Sequence, residues 1–219
     1  MSSLALIAID GPSGVGKSTT AKAVAKALGW DYLDTGAMYR AVALALLRQD
    51  VPLEDREGLE RVLSSLGFEQ RGNRFFMGPE DVSEAIRGPE VTRFVTPVSA
   101  DARVRTVMVE QQRRMGGRGR WVVDGRDIGT VVFPSACCKV FLTASPEARG
   151  RRRHLEVAAK GDASSLKEII ADLQRRDSAD STREVAPLKM AEGAFLLDSS
   201  ELDLEQVVQQ ILARHGIHS

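Results

Sequence analysis

Apolar residues gather in five short runs, at residues 4–9, 30–34, 120–124, 139–143 and 195–198, separated by segments with helical spacing. The first, Leu-Ala-Leu-Ile-Ala-Ile, is continuous, as in a strand buried on both faces. Residues 17–28 are rich in Ala, Lys and Leu and stop at Gly29, a helix with a glycine cap. Further helices are expected over 37–47, 56–66, 100–115, 165–176 and 203–214, and one opens at Ser145-Pro146, with Ser145 as cap and Pro146 in its first position. The short segments 83–86 and 90–97 read as helical turns, and Gly161-Asp162 as an interruption. Residues 68–82 break the rhythm: short strand-like pieces flank Gly72-Asn73, and Gly78-Pro79 turns the chain again.

Strands alternating with helices predict an α/β fold, a five-stranded parallel sheet with helices on both sides. The β-meander is then an insertion, at about residues 60–100, in a chain whose 219 residues suit one core. Ligands of such sheets bind beyond the carboxyl ends of the strands. Asp10, Asp34, Asp124 and Asp198 all end strands, so some of them should line the site.

The strand, loop and helix at the start carry the clearest chemistry. Gly11-Pro12-Ser13-Gly14-Val15-Gly16-Lys17-Ser18 has the spacing of a phosphate-binding P-loop, and Thr19 follows on the helix. Glycines let successive amides turn inward around a phosphate, and the helix N-terminus adds positive potential. Lys17 is expected to reach the outer phosphates of a nucleoside triphosphate and Ser18 to ligate Mg2+. Asp124, at the end of the third apolar run, is a candidate to hold the metal through water.

Composition narrows the partners. Basic and acidic residues balance at 30 each, which argues against a nucleic-acid polymer or an anionic membrane as the main partner. Arginine outnumbers lysine 23 to 7, which favours forked recognition of phosphates. Cys137 and Cys138 are adjacent, too few for a zinc site and badly spaced for a disulfide, and buried free thiols are expected. No signal peptide or membrane-length apolar run stands out, so a cytoplasmic protein is expected. His154, His215 and His218 are assigned to surface or packing.

Three clusters remain. Thr35, Tyr39 and Arg40 open the second helix, with Thr35 in position to cap it. Asp124-Gly-Arg126-Asp127-Ile-Gly129 follows the third run. Arg149, Arg152 and Arg153 share a helical face, a costly grouping of like charge that a polyphosphate would explain, and Arg175, Arg176, Asp180 and Arg183 come after.

With these segments, Val82-Ser-Glu-Ala-Ile-Arg87 and Pro187-Leu188, the chain resembles the bacterial cytidylate kinases, nucleoside-monophosphate kinases of the P-loop class, over essentially its whole length. The resemblance implies transfer of the γ-phosphoryl of ATP to CMP or dCMP, with Mg2+, by an enzyme expected to be a monomer. It implies a monophosphate-binding insert and a short lid at about residues 150–183. It implies acceptor contacts from Thr35, Tyr39 and Arg40, cytosine contacts from Thr96, Arg105 and Asp127, and sugar contacts from Arg176 and Asp180. Arg126 and Arg183 match phosphate-binding positions, and Arg149 and Arg153 would cover the transferring group beside Lys17. Ser18 stands where many members have Gly, and Thr35 where Ser is common. Other acceptors, such as UMP, are the nearest alternative. A guanine-nucleotide switch normally carries an Asn-Lys-x-Asp reader, whereas the only Asn here is Asn73, followed by Arg74. A nucleotide-binding scaffold would not need the Lys and Arg set.

Overall fold

A computed structural model describes residues 4–159, 161 and 163–216. Asp162 and His218 therefore lie outside the described residues. The chain forms two compact units, one made of residues up to Tyr32 and from Gly116 onward, the other of Leu33–Met115.

In the first unit β1 (Leu4–Asp10) leads through the glycine loop to α1 (Lys17–Leu28). The edge strand β2 (Asp31–Asp34) runs from this unit into the second, where the elements are α2 (Thr35–Arg48), α3 (Arg56–Ser65), β3 (Phe68–Arg71), β4 (Arg74–Met77), β5 (Glu80–Asp81), α4 (Pro89–Ala100) and α5 (Ala102–Gly116), the last ending at the boundary. The first unit resumes with β6 (Trp121–Gly125), a π-helical turn (Ile128–Val132), β7 (Ala136–Thr143), α6 (Pro146–Ala158), α7 (Leu166–Thr182), β8 (Phe195–Asp198) and α8 (Leu204–His215). The parallel sheet has the order β2-β6-β1-β7-β8. Because the P-loop strand is central, both its faces are covered: Ile7 and Ile9 pack with Val24 of α1 and Val207 and Ile211 of α8. Leu6 lies on the opposite face, where a Cβ at Gly116 would meet it at 3.7 Å and Phe133 at 2.9 Å.

Caps explain the helix boundaries. Gly29 and Gly216 close α1 and α8 in the left-handed conformation. Ser145 caps α6, and Ser165 and Asp203 form capping boxes with Glu168 and Gln206. The cap of α2 differs from expectation. Asp34, not Thr35, accepts the Ala37 amide, and Thr35 is already helical. Pro97 does not end its helix either; α4 continues one turn to Ala100.

The second unit holds the antiparallel sheet β3-β4-β5, with Phe68 opposite Met77 and Phe76 opposite Asp81. The pair of thiols also needs correction. On β7 side chains alternate, so Cys138 is buried while Cys137 is exposed, and both are free. Burial pushes the Cys138 thiol up to about 11. His215 packs edge-on to Trp30 at 5.2 Å. No helix among the described residues is long and apolar enough to cross a membrane.

Candidate active site

The loop between β1 and α1 is shaped by close backbone approach. A Cβ on Gly11 would lie 2.1 Å from the Leu142 carbonyl oxygen, and Gly16 turns into α1 with φ of 94°. Lys17 is buried, and its ammonium donates to the Pro12 carbonyl at 2.6 Å. Burial, then the Arg126 cation, pushes the pKa of Lys17 well down, while Asp124, Asp180 and Asp10 pull it up. An anion arriving in the loop acts in the same direction as these carboxylates and holds the lysine charged.

Beneath the loop, Asp124 is buried at the end of β6. It accepts the Ser18 hydroxyl at 2.9 Å and the Tyr32 hydroxyl at 2.8 Å. A carboxylate beside a loop hydroxyl is a hard oxygen donor set of the kind that suits magnesium. Val15 is buried within the loop and Thr19 is exposed on α1.

The crown of the loop is Ser13, and three charged groups hold it. Its amide donates to Asp177 at 2.7 Å, its carbonyl accepts from Arg149 at 2.9 Å, and its hydroxyl accepts from Arg126 at 2.9 Å. Arg149 is buried, pairs with Asp177 and donates to the Ala144 carbonyl. Arg126 also donates to Asp180 at 2.7 Å. Arg183 lies 3.9 Å from Asp180 and 3.6 Å from Asp127, and donates to the Ala186 carbonyl at 2.7 Å. Arg176 is half-buried on α7; burial and then the Arg126 cation lower its pKa.

The structure thus gathers Ser13, Lys17, Ser18, Asp124, Arg126, Asp127, Arg149, Asp180 and Arg183 around one loop. Arg153 pairs with Glu156 at 2.9 Å on the surface of α6, and its cation still acts on Arg176. Arg152 turns to the Ser199 hydroxyl and the Ser199 and Leu202 carbonyls. All three clustered arginines therefore have partners within the protein, and their grouping does not by itself require a polyphosphate.

In the second unit, Thr35 and Tyr39 are buried on α2. Arg40 donates to the Thr92 hydroxyl at 3.0 Å and approaches the Ile86 carbonyl at 3.5 Å. The buried Arg105 guanidinium lies 5.6 Å from the Tyr39 ring centre and donates to the Ser99 carbonyl at 3.2 Å. The Ser99 hydroxyl in turn donates to the Thr96 carbonyl, so Thr96 and Arg105 join one chain of contacts.

Of the four strand-end aspartates, Asp10 and Asp124 lie at the loop. Asp34 caps α2, and Asp198 holds Ser200 through amide and hydroxyl. Sequence reasoning gave no role to Asp177 or Tyr32. The signal for Asp177 was its helical spacing with Leu173, Arg176 and Asp180; nothing local marks Tyr32.

A family model described as cytidylate kinase matches residues 7–216. The cytidylate kinase of Carboxydothermus hydrogenoformans is 47% identical over 210 residues, covering 94% of this chain and 95% of that one. That of Exiguobacterium sibiricum is 49% identical over 209 residues, covering 94% of each. Among solved structures, shikimate kinase from Bacteroides thetaiotaomicron superposes with a TM-score of 0.52 at 14% identity, over 95% of this chain and 96% of that chain, a likeness of fold.

Proposed function

The chain belongs to the cytidylate kinase family, and from that premise we propose how its residues share the work of a (d)CMP kinase. The reaction moves the γ-phosphoryl of ATP onto CMP or dCMP, releasing ADP and the diphosphate. The acceptor oxygen already carries charge near neutral pH, so the protein's work is alignment and charge neutralisation. The observation that carries the division of roles is the convergence of Lys17, the Ser18–Asp124 pair and the chain Arg126–Asp180–Arg183–Asp127 at one loop.

The amides of 11–16, with Lys17, bind the donor phosphates. Ser18 would hold Mg2+, with Asp124 acting through water. When bound, the ion neutralises charge on the phosphates. Arg126 and Arg183 take the acceptor phosphate, together with Arg40. Arg149 covers the transferring group, and Arg153 joins it on release from Glu156. Arg176 and Asp180 hold the sugar. Thr35 and Tyr39 contact the acceptor nucleotide, and Thr96, Arg105 and Asp127 read its base. The antiparallel insert serves the monophosphate, and residues of about 150–183 act as a lid that excludes water. The setting proposed is cytoplasmic, supported by two free cysteines and balanced charge, and the enzyme is proposed to be monomeric.

Base choice follows from hydrogen-bond polarity. Cytosine offers an amino donor at C4, where uracil offers a carbonyl, and an ionised carboxylate can only accept. ATP consumption measured with CMP, dCMP, UMP, AMP and GMP in turn tests the assignment. CMP and dCMP should dominate; equal use of UMP would sink Asp127 as reader. Lys17→Ala should lower turnover by about a thousandfold or more while CMP binding persists.

A further inference from the structure

Asp127 stands at the N-cap position of the π-helical turn, where an aspartate ordinarily folds back to accept amides of its own turn. It does not: its side chain makes no cap hydrogen bond. The turn is nevertheless well formed, with the Val131 and Val132 amides on the Asp127 carbonyl at 2.9 and 3.2 Å and the Phe133 amide on the Ile128 carbonyl at 2.7 Å. Its first two amides are satisfied from elsewhere. Asp10, 3% exposed at the end of β1, accepts Ile128 N–H through Oδ1 and Gly129 N–H through Oδ2, each at 2.8 Å.

We propose that Asp10 is a positioning residue that caps this turn in place of Asp127, and so keeps the Asp127 carboxylate available to the acceptor base. This rests on the reading of Asp127 as base reader. The physical reasoning is a competition. Buried amides at a helix start take an acceptor wherever one can reach. With Asp10 present, both are occupied by a carboxylate fixed to the central strand. Without it, the Asp127 side chain, at the N-cap of the same turn, would be drawn away from Arg183 to cap that turn and leave the base. The orientation of Asp127 is therefore set by a residue whose hydrogen bond to the turn, at Ile128, spans 118 positions of the chain.

The test compares kcat/KM for CMP and UMP in wild type, Asp10→Ala, Asp10→Asn, Asp127→Ala and the double variant Asp10→Ala/Asp127→Ala, with KM for ATP measured alongside. Asp10→Ala should lower the CMP-to-UMP ratio by about 10- to 100-fold, the scale of a displaced contact group. Asp10→Asn keeps the shape and one acceptor, so it should fall between, and it serves if the alanine variant fails to fold. The double variant should discriminate no worse than Asp127→Ala alone, because both act through one carboxylate. KM for ATP should stay within about twofold, although Asp10 adjoins the loop; a merely structural role would raise it. A ratio lowered by Asp127→Ala but untouched by either Asp10 variant overturns the proposal and leaves the reader in place. Losses that add in the double variant overturn it too. A ratio unmoved by Asp127→Ala overturns the reader, and the proposal with it.

Discussion

β1 and β6 run side by side, and each carries an aspartate at its carboxyl end, the last residue of β1 and the last but one of β6, yet the two carboxylates do different things. The register pairs Ile9 with Asp124 and Asp10 with Gly125, a one-residue offset. In a pleated sheet that offset sends the two side chains to opposite faces. Asp124 emerges beside α1 and receives two hydroxyls, from Ser18 and Tyr32. Asp10 emerges beside the π-helical turn and receives two backbone amides. Hydroxyls rotate and can turn to an incoming ligand; backbone amides in a turn cannot. The difference teaches that the partners, rather than the residue type, decide which carboxylate is exchangeable and which is fixed.

The largest effect should come from breaking the exchangeable side. Asp124→Asn should lower turnover by about 100- to 1,000-fold and raise the Mg2+ needed for half-maximal rate, with the CMP-to-UMP ratio intact. A changed ratio at unchanged magnesium demand would erase the distinction between the two ends. Next comes the group that Asp10 supports. Asp127→Ala should lower the CMP-to-UMP ratio by about 100-fold with little change in ATP binding, and an equal loss on both monophosphates would count against it.

Third is the pH response of the fixed side. Burial raises the Asp10 carboxyl from 3.8 to about 6, against the opposing pull of the Gly129 and Ile128 amides. The folded state then holds a proton that the unfolded state releases. The associated stability is fully present below 3.8 and is lost as pH rises through about 6. Wild type should therefore gain about 1 kcal/mol between pH 7 and pH 5 relative to Asp10→Asn. Denaturant unfolding of both proteins at each pH reads it; parallel slopes would mean that Asp10 stays ionised. The smallest effect is expected for Tyr32→Phe, which removes one of two donors to Asp124. It should raise the magnesium requirement only a few-fold, about 1 kcal/mol, and leave base choice alone.

Much of this was legible in the residues. The helix α1 and the strand β8 have the expected limits, because caps and continuous apolar runs are local signals. Elsewhere the local signal pointed one residue off: Asp34 and Thr35 are both good caps, and only the backbone geometry separates them. Pro97 misled because proline has no backbone N–H to donate, which removes one hydrogen bond but does not forbid a helix that runs on to Ala100. The missed partners share a different cause. Asp177 meets Ser13 across 164 residues and Tyr32 meets Asp124 across 92, and spacing along a chain carries no record of such meetings.

The alternation along β7 leaves a practical handle. Cys137 is solvent-facing near the start of the strand, while the neighbouring Cys138 is enclosed and its thiol ionises only near pH 11. A maleimide dye at neutral pH would therefore attach to a single site, at the end of the sheet remote from Asp10 and Asp124. The unmodified sequence thus carries its own attachment point for a fluorescent reporter.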